Sequence, residues 1–273
     1  MPAGLYQIVA ATRRRLAETR PTADSRELKR RAAEHVPRGF RRALEEKSRD
    51  SVHIIAELKK ASPSRGLIRS DFNPERLARE LEDAGAAALS ILTDDEFFQG
   101  SLRNLQVASR ATKLPCLRKD FIVDEFQLLE ARAYSADAVL LIVAALSQAE
   151  LTKLMAEAAA YSLDVLCEVH DIEELRRAVD AGCNLIGVNN RDLRTFKVDL
   201  QTAFRLAELI PEDATCVAES GIQTAGDIAR LRAMGYDAFL IGESLMKAAS
   251  PGDALRALIG QALSNQHSVP SAL

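Results

Sequence analysis

The 273-residue chain carries a net charge of −3 at pH 7, and 47% of its residues are hydrophobic and 27% charged, which is typical of a folded globular protein. No apolar run approaches the roughly 20 residues needed to span a bilayer. The N-terminal stretch lacks the charged-then-apolar order of a signal peptide. We therefore expect a cytoplasmic protein of one large or two small domains with no membrane partner.

Charge is concentrated at the N-terminal end of the chain. Residues 1–50 contain 13 Lys and Arg against 7 Asp and Glu, whereas the remainder contains 23 against 32. A basic end can indicate nucleic-acid binding, but this segment has only Tyr6 and Phe40 as aromatic residues and no recognisable binding motif. Its apolar residues follow a helical period instead, so we predict solvated helices and no nucleic-acid partner.

The first predicted strand ends in charged residues. Residues 52–58 form an apolar, β-branched run that contains Glu57 and is followed by Lys59, Lys60 and a Ser-Pro-Ser-x-Gly turn. Because side chains alternate across a strand, Glu57 and Lys59 should share one face and Leu58 the other. Burying two charges is costly unless they pair or serve chemistry. The pattern therefore predicts either an ion pair at a strand end or part of a site.

From residue 52 onward one unit repeats: a short apolar run, a turn, and an amphipathic helix. The predicted strands are residues 52–58, 87–93, 114–118, 138–143, 164–169, 185–189, 215–218 and 238–242. Asn73 followed by Pro74, and Ser147 followed by Glu150, are helix start signals. Strands that are apolar on both faces and separated by helices are typical of a parallel sheet covered on both sides.

Eight strand-helix units with right-handed crossovers close most simply into a (β/α)8 barrel, a TIM barrel of the α/β class; an open doubly wound sheet is the alternative. The polar residues favour the barrel, because they stand where strands end, at the rim that carries barrel active sites. They are Thr93, Lys119, Glu168, Asn189, Glu219 and Gly242. We predict a barrel over 49–264, preceded by a helical extension over 1–48 packed on it and followed by a polar tail over 265–273.

The last two predicted strands end in glycine-bearing turns. Ser220 and Gly221 follow the seventh strand, and Gly242 and Glu243 follow the eighth. Barrel enzymes bind phosphate on backbone N–H groups at these two places, although such turns can also bind nothing. Lys59 or Arg191 could add charge-assisted hydrogen bonds to an anion.

The cysteines carry no metal-binding pattern. Cys116, Cys167 and Cys216 lie in strand-like runs, and Cys183 follows the helix-ending Gly182. No CxxC spacing occurs, so we expect neither zinc binding nor a disulfide.

Seven motifs, in order and in register, resemble the indole-3-glycerol phosphate synthases, barrel enzymes of tryptophan biosynthesis. They are IAELKKASPSRG, ILTDDEFFQGS, LPCLRKDFIVDEFQ, LCEVHD, IGVNNRDL, VAESGI and LIGESLM. The resemblance implies a carboxy-lyase that closes the ring of 1-(o-carboxyphenylamino)-1-deoxyribulose 5-phosphate, losing carbon dioxide and water, to give indole-3-glycerol phosphate. It implies no metal or organic cofactor, and leaves the oligomeric state open.

The resemblance also implies catalytic roles. Lys119 would be the general acid, Glu168 the acid/base group, and Lys59 a phosphate or carboxylate contact that can donate a proton. The supporting catalytic residues would be Glu57, Asn189 and Ser220. At a dry barrel mouth among other cations, Lys119 should lose its proton more easily than usual, and apolar walls should help Glu168 keep its own.

The remaining implied positions bind the substrate. Phosphate would rest on N–H groups of Ser220, Gly221, Gly242 and Glu243, with the Glu243 side chain pointing away from the phosphate. The other implied contacts are Ser62, Arg191 and Glu219 around the polar groups, and Phe98, Phe121 and Leu140 around the aromatic ring. For His170 we favour a capping or surface role over a catalytic base.

Two expectations concern the segments around the site. The loop over 60–69 should close over the substrate and exclude water. The basic N-terminal helices should cover the same rim, so that deleting residues 1–45 raises KM more than it alters the fold. Rival hypotheses are a barrel enzyme acting on another phosphorylated ketose and a non-catalytic nucleic-acid-binding module.

Overall fold

The computed structural model describes residues 4–45 and 51–266. The strands are β1 (His53–Leu58), β2 (Ala61–Ser62), β3 (Gly66–Leu67), β4 (Ala88–Leu92), β5 (Cys116–Lys119), β6 (Ala138–Ile142), β7 (Asp164–Val169), β8 (Leu185–Asn189), β9 (Thr215–Glu219) and β10 (Ala238–Ile241). The helices are α1 (Leu5–Thr19), α2 (Ser25–Glu34), α3 (Pro74–Asp83), α4 (Asp95–Phe98), α5 (Leu102–Ala111), α6 (Glu125–Ala133), α7 (Gln148–Ala160), α8 (Ile172–Asp180), α9 (Gln201–Ala207), α10 (Ala225–Ala233), α11 (Glu243–Lys247) and α12 (Pro251–Gln266).

Within residues 51–266, eight parallel strands close into a barrel in the order β1, β10, β9, β8, β7, β6, β5, β4. β1 completes the ring by pairing with β10 on one side and β4 on the other. The two short strands β2 and β3 form a separate antiparallel hairpin after β1. The closed ring confirms the predicted (β/α)8 barrel and excludes the open sheet, because an open sheet would leave β1 or β4 with a free edge.

The predicted strands and helix starts are confirmed to within one or two residues. Every barrel strand is buried on both faces, since one face packs inside the barrel and the other against the helices. The Asn73 side chain caps α3, and Ser147 with Glu150 forms the capping box that begins α7. The predicted domain boundary after residue 48 lies outside the described residues. Of the tail predicted over 265–273, the first two residues belong to α12 and the rest lies outside the described residues.

The N-terminal segment contacts the barrel at both ends. Leu5 on α1 joins the interior apolar cluster together with Leu140 and Leu240. Near the opposite opening, Phe40 and Leu44 are fully buried in the same cluster. Deleting residues 1–45 would therefore remove part of the core, which argues against the expectation that this truncation raises KM more than it alters the fold.

Ion pairs fix the segment that carries Phe40. The Asp137 carboxylate, buried at the start of β6, lies 2.9 Å from the His35 ring and 2.5 Å from the Arg38 guanidinium. Its second oxygen also accepts the backbone N–H of Cys116 at 2.7 Å. Buried carboxylates require such partners, so these contacts hold the segment against the strand starts.

The structure contradicts the expected absence of a disulfide. Cys167, on β7, is bonded to Cys183, which precedes β8, and their Cα atoms lie 6.4 Å apart. The two residues are 16 positions apart in sequence with α8 between them. The parallel pairing of β7 with β8 brings them together, which spacing alone does not reveal.

Among the described residues, no helix is long and apolar enough to cross a bilayer.

Candidate active site

A cavity of about 440 Å³ opens at the carboxyl ends of the barrel strands. Its walls include all the residues that the sequence analysis placed in the site. These are Glu57, Lys59, Ser62, Phe98, Lys119, Phe121, Leu140, Glu168, Asn189, Arg191, Glu219, Ser220, Gly221, Gly242 and Glu243. Thr93, the remaining rim residue, does not line this cavity, because its hydroxyl donates a hydrogen bond to the buried Asp120 carboxylate at 2.7 Å.

Glu57 and Lys59 lie on the same face of the first strand, as alternation predicted. The Lys59 Nζ is 2.5 Å from Glu57 Oε1, and both side chains are largely buried. Leu58 belongs to the outer apolar cluster between the barrel and its helices. Gly242 lets Glu57 take this position, because a Cβ at Gly242 would collide with the Glu57 carboxylate.

Lys119 lies between two carboxylates from distant strands. Its Nζ is 3.0 Å from Glu168 Oε2 on β7 and 2.9 Å from Glu219 Oε2 on β9. The three side chains are between 2% and 14% exposed, so this is a buried charge cluster at the cavity floor. Such clusters outside a metal site are uncommon in cores and are typical of sites that transfer protons.

The protonation states are the reverse of those expected. Burial alone would lower the pKa of Lys119, but the carboxylates of Glu168, Glu219 and Glu57 outweigh it and raise the pKa well above its ordinary value. Burial would likewise raise the pKa of Glu168, but Lys119 and His170 outweigh it and hold the pKa well below the usual range. The structure therefore presents a charged lysine beside an ionised Glu168.

Glu219 differs from Glu168 because it has fewer partners. Its Oε1 lies against the backbone at Gly187 and has no hydrogen-bond partner among the described residues. Burial, reinforced by the negative charge of Glu168, raises the pKa of Glu219 to about 7 in spite of Lys119. Near neutral pH the Glu219 carboxyl is thus able to hold a proton next to Lys119.

His170 is not a surface residue. Its side chain is 12% exposed, and its Nε2 lies 3.3 Å from Glu168 Oε1. On the other side, Nδ1 lies 2.9 Å from Glu174 Oε2, and the backbone N–H donates to the same oxygen at 2.8 Å. The contact with Glu174, in the first turn of α8, is the expected capping interaction, but the same ring also contacts a cavity carboxylate.

Free backbone N–H groups lie beside this charge cluster. Ser220 and Gly221 both have positive φ, at 62° and 80°, a conformation that is uncommon for serine and occurs often at functional sites. In the part of the chain that the structure describes, no hydrogen bond uses the N–H groups of Ser220, Gly221, Gly242 or Glu243. All four residues line the cavity, so these N–H groups are available to an anion.

The Glu243 side chain lies among cations that line the cavity, and its orientation away from a bound phosphate stays a prediction. Its Oε1 lies 3.0 Å from Arg65 Nε and 2.6 Å from Lys247 Nζ, and its Oε2 lies 3.8 Å from an Arg191 nitrogen. Arg65, Arg191 and Lys247 all line the cavity. The carboxylate is held among these cations because they neutralise its charge.

An apolar wall faces the charged residues. The rings of Phe98 and Phe121 are tilted relative to each other, with centroids 6.2 Å apart. Leu140 belongs to the apolar cluster inside the barrel, and Phe121 packs against that cluster. The spacing suits an aromatic group lying along the wall.

Comparison with known proteins identifies the family. The profile of indole-3-glycerol phosphate synthase matches residues 5–258. The indole-3-glycerol phosphate synthase of Koribacter versatilis is 59% identical over 260 residues, which cover 95% of this chain and 100% of that protein. The chain belongs to the indole-3-glycerol phosphate synthase family. Proteins of the same name from Desulfotalea psychrophila and Acidithiobacillus ferrooxidans are 50% and 48% identical, over 81% and 93% of this chain and 85% and 97% of their own lengths.

Solved structures resemble this family member in fold only. A thiamine phosphate pyrophosphorylase from Pyrococcus furiosus superposes with a TM-score of 0.59 at 16% identity, over 80% of this chain and 98% of that one. A mandelate oxidase variant superposes with a TM-score of 0.56 at 18% identity, over 80% of this chain and 73% of that one. Both likenesses support the barrel and carry no information about chemistry.

Several cavity residues of this synthase family member were missed from the sequence. They are Leu5, Ile8, Arg65, Phe196, Val198 and Lys247, which come from α1, the hairpin loop, the loop after β8, and α11. In each case the local pattern matches ordinary packing or surface charge. Only the convergence of these elements at the barrel mouth distinguishes them.

Proposed function

We propose that this chain converts 1-(o-carboxyphenylamino)-1-deoxyribulose 5-phosphate into indole-3-glycerol phosphate. The ring carbon that bears the carboxylate forms a bond to the C2 carbonyl carbon, and the carbonyl oxygen is protonated. Carbon dioxide leaves with cleavage of the ring-carboxylate bond, and the C2 hydroxyl leaves as water. The observation that carries the proposal is the Lys119 ammonium held between Glu168 and Glu219 in the cavity of a member of this family.

Lys119 is assigned as the general acid. Its raised pKa keeps it protonated at neutral pH, so it can donate to the carbonyl oxygen as negative charge develops there. The Glu219 carboxyl, with a pKa of about 7, lies within hydrogen-bond distance and can return a proton to Lys119. This role for Glu219 goes beyond the substrate contact expected from the sequence.

Glu168 is assigned as the base that removes a proton during dehydration. Its lowered pKa keeps it ionised, and its carboxylate forms an ion pair with Lys119, the assigned general acid. Asn189 contributes to the lowered pKa of Glu168, and Glu57 fixes Lys59 through an ion pair. Lys59 is then a cation for the substrate's anionic groups or a second proton donor.

The substrate's two ends are assigned to the two chemically different walls. The phosphate takes the free N–H groups of Ser220, Gly221, Gly242 and Glu243, and the aromatic ring takes the wall of Phe98, Phe121 and Leu140. Arg191 and Ser62, which line the same mouth, are assigned to the substrate carboxylate and the loop.

We also assign the N-terminal segment to the catalytic unit, because Leu5 and Ile8 line the cavity. The cytoplasmic location and the absence of a nucleic-acid partner stay predictions.

The test is to mix the purified protein with the carboxyphenylamino-deoxyribulose phosphate and follow indole fluorescence. The chain contains no Trp and four Tyr, so the background is low. We expect product with the wild type and a fall in kcat of roughly 10² or more in both Lys119→Ala and Glu168→Gln. The variant Glu173→Gln, at an exposed position on α8 that does not line the cavity, is the matched control and should keep wild-type turnover.

Either of two results would contradict the proposal. A wild type that binds the phosphate ester without forming indole would leave the barrel and the anion site intact and redirect the search to other phosphorylated ketoses. Wild-type turnover in Lys119→Ala would remove the assignment of the general acid.

A further inference from the structure

Three cations at the cavity mouth share one protein carboxylate. Arg65 comes from the hairpin loop, Arg191 from the loop after β8, and Lys247 from α11, and Glu243 contacts all three. The contacts are unequal, at 3.0 Å, 3.8 Å and 2.6 Å respectively. Lys247 stands four residues after Glu243 in the same helix, so this contact is local, whereas the two arginines reach Glu243 from other elements.

The local charge favours an incoming anion even with Glu243 in place. Three cations against one carboxylate leave an excess of two positive charges, which matches a phosphate dianion. The free N–H groups of Gly242 and Glu243 itself belong to the same wall. An anion bound there meets the Glu243 carboxylate, and two negative charges a few ångströms apart repel each other.

We propose that Glu243 is an affinity-determining residue that acts as an internal competitor for the substrate phosphate. In the free protein its carboxylate neutralises Arg65 and Arg191. When phosphate binds, it takes over both arginines, and Glu243 keeps only Lys247. The inference rests on the proposed function, since it assumes that the phosphate is bound on this wall.

A competitor of this kind weakens the binding of every anion at this wall. A substrate that also places an aromatic ring and a carboxylate in the cavity can offset the loss, whereas inorganic phosphate cannot. Glu243 would thus keep the site free of inorganic phosphate and speed the release of a phosphorylated product.

The probe for this proposal is inorganic phosphate, titrated calorimetrically into the full-length protein. We expect Glu243→Gln, which keeps the shape and removes the charge, to bind phosphate about three- to tenfold more tightly than the wild type. KM for the phosphorylated substrate should fall in parallel, with no rise in kcat. Glu173→Gln removes the same charge from the exposed face of α8 and should leave the phosphate constant unchanged.

A double variant separates competition from a simple loop latch. If Glu243 competes with phosphate for Arg65, the Arg65→Met substitution should cost little phosphate affinity when Glu243 is present. The same substitution should cost clearly more affinity in the Glu243→Gln background. If Glu243 instead only holds the loop through Arg65, both single variants weaken phosphate binding by similar factors, which would overturn the proposal. An unchanged phosphate constant in Glu243→Gln would overturn it as well.

The result is independent of the identity of the substrate. A wild type that forms no indole product but binds phosphate more weakly than Glu243→Gln would support the role of Glu243 while the proposed function fails. If the wild type turns over substrate and Glu243→Gln binds phosphate no more tightly than the wild type does, the proposed function is retained and this inference is overturned.

Discussion

The Nε2 atom of His170 lies 3.3 Å from Oε1 of Glu168, the carboxylate oxygen that Lys119 does not bind. Glu168 therefore has a cation at each oxygen. Burial alone would lower the pKa of His170, but Glu168, together with Glu174 on the far side of the ring, raises it to about 10. The imidazole is consequently a positive charge that stays when Lys119 gives up its proton.

Replacing His170 by Asn should raise the pKa of Glu168. With one cation gone and burial unchanged, the acidic limb of the kcat profile, which reports protonation of the base, should move to higher pH by about one unit or more. Steady-state indole fluorescence, extended down to the lowest pH at which both proteins stay folded, measures it, because the lowered pKa of Glu168 puts the wild-type limb below pH 5. His170→Lys, which keeps a cation, should restore the wild-type profile. Equal losses of kcat in both variants at every pH would show that His170 acts only through packing.

Glu219→Gln should change stability in a pH-dependent way. The folded-state pKa of Glu219 is raised from an ordinary 4.5 to about 7, so its contribution to stability is fully present below pH 4.5 and is lost as the pH rises through 7. Glutamine does not ionise, so the variant should match the wild type near pH 5 and exceed it near pH 8.5 by on the order of 1 kcal/mol.

Urea unfolding at the two pH values measures this difference. Glu173→Gln on the exposed face of α8 is the matched control and should show no such pH dependence. A Glu219→Gln variant that is less stable at pH 8.5 than at pH 5, relative to the wild type, would mean that Lys119 keeps Glu219 ionised in the folded protein.

Pro63→Gly should lower kcat while Tm changes little. Pro63 lines the cavity in the hairpin loop between β2 and β3, and the added chain freedom makes closure over the substrate costlier without removing core contacts. Turnover assays and thermal melts on the same preparation measure both effects. A large fall in Tm with normal kcat would contradict the lid function.

The two ends of the N-terminal segment should respond differently to truncation to Ala. Ile8→Ala, which removes part of the cavity wall, should raise KM by a few-fold and lower Tm less than Phe40→Ala does, because the side chain removed is smaller. Phe40→Ala empties a fully buried site in the barrel interior and should cost about 3 kcal/mol or more of unfolding free energy with KM unchanged. Kinetics and chemical unfolding of both variants test this, and similar effects at both positions would show that the segment acts as one structural unit.

Much of the fold was predictable because its determinants are local. The alternation of apolar runs with capped helices, such as the one begun by Ser147, depends on nearby residues, and only a few topologies accommodate eight such units. The rim residues of the candidate site followed from the same logic, and the remaining contacts from the resemblance to the family. Strand alternation placed Glu57 with Lys59, and polar strand ends such as Asn189 had to meet once the sheet closed.

Properties that depend on long-range contacts were decided by the tertiary structure. The charged state of Lys119 comes from carboxylates 49 and 100 residues away, so expecting a lowered pKa from neighbouring cations was wrong. The Cys167–Cys183 bond and the burial of Phe40 likewise arise from barrel closure. Local sequence specifies which side chain stands at a strand end, but its partners, and therefore its charge, exist only after the strands have come together.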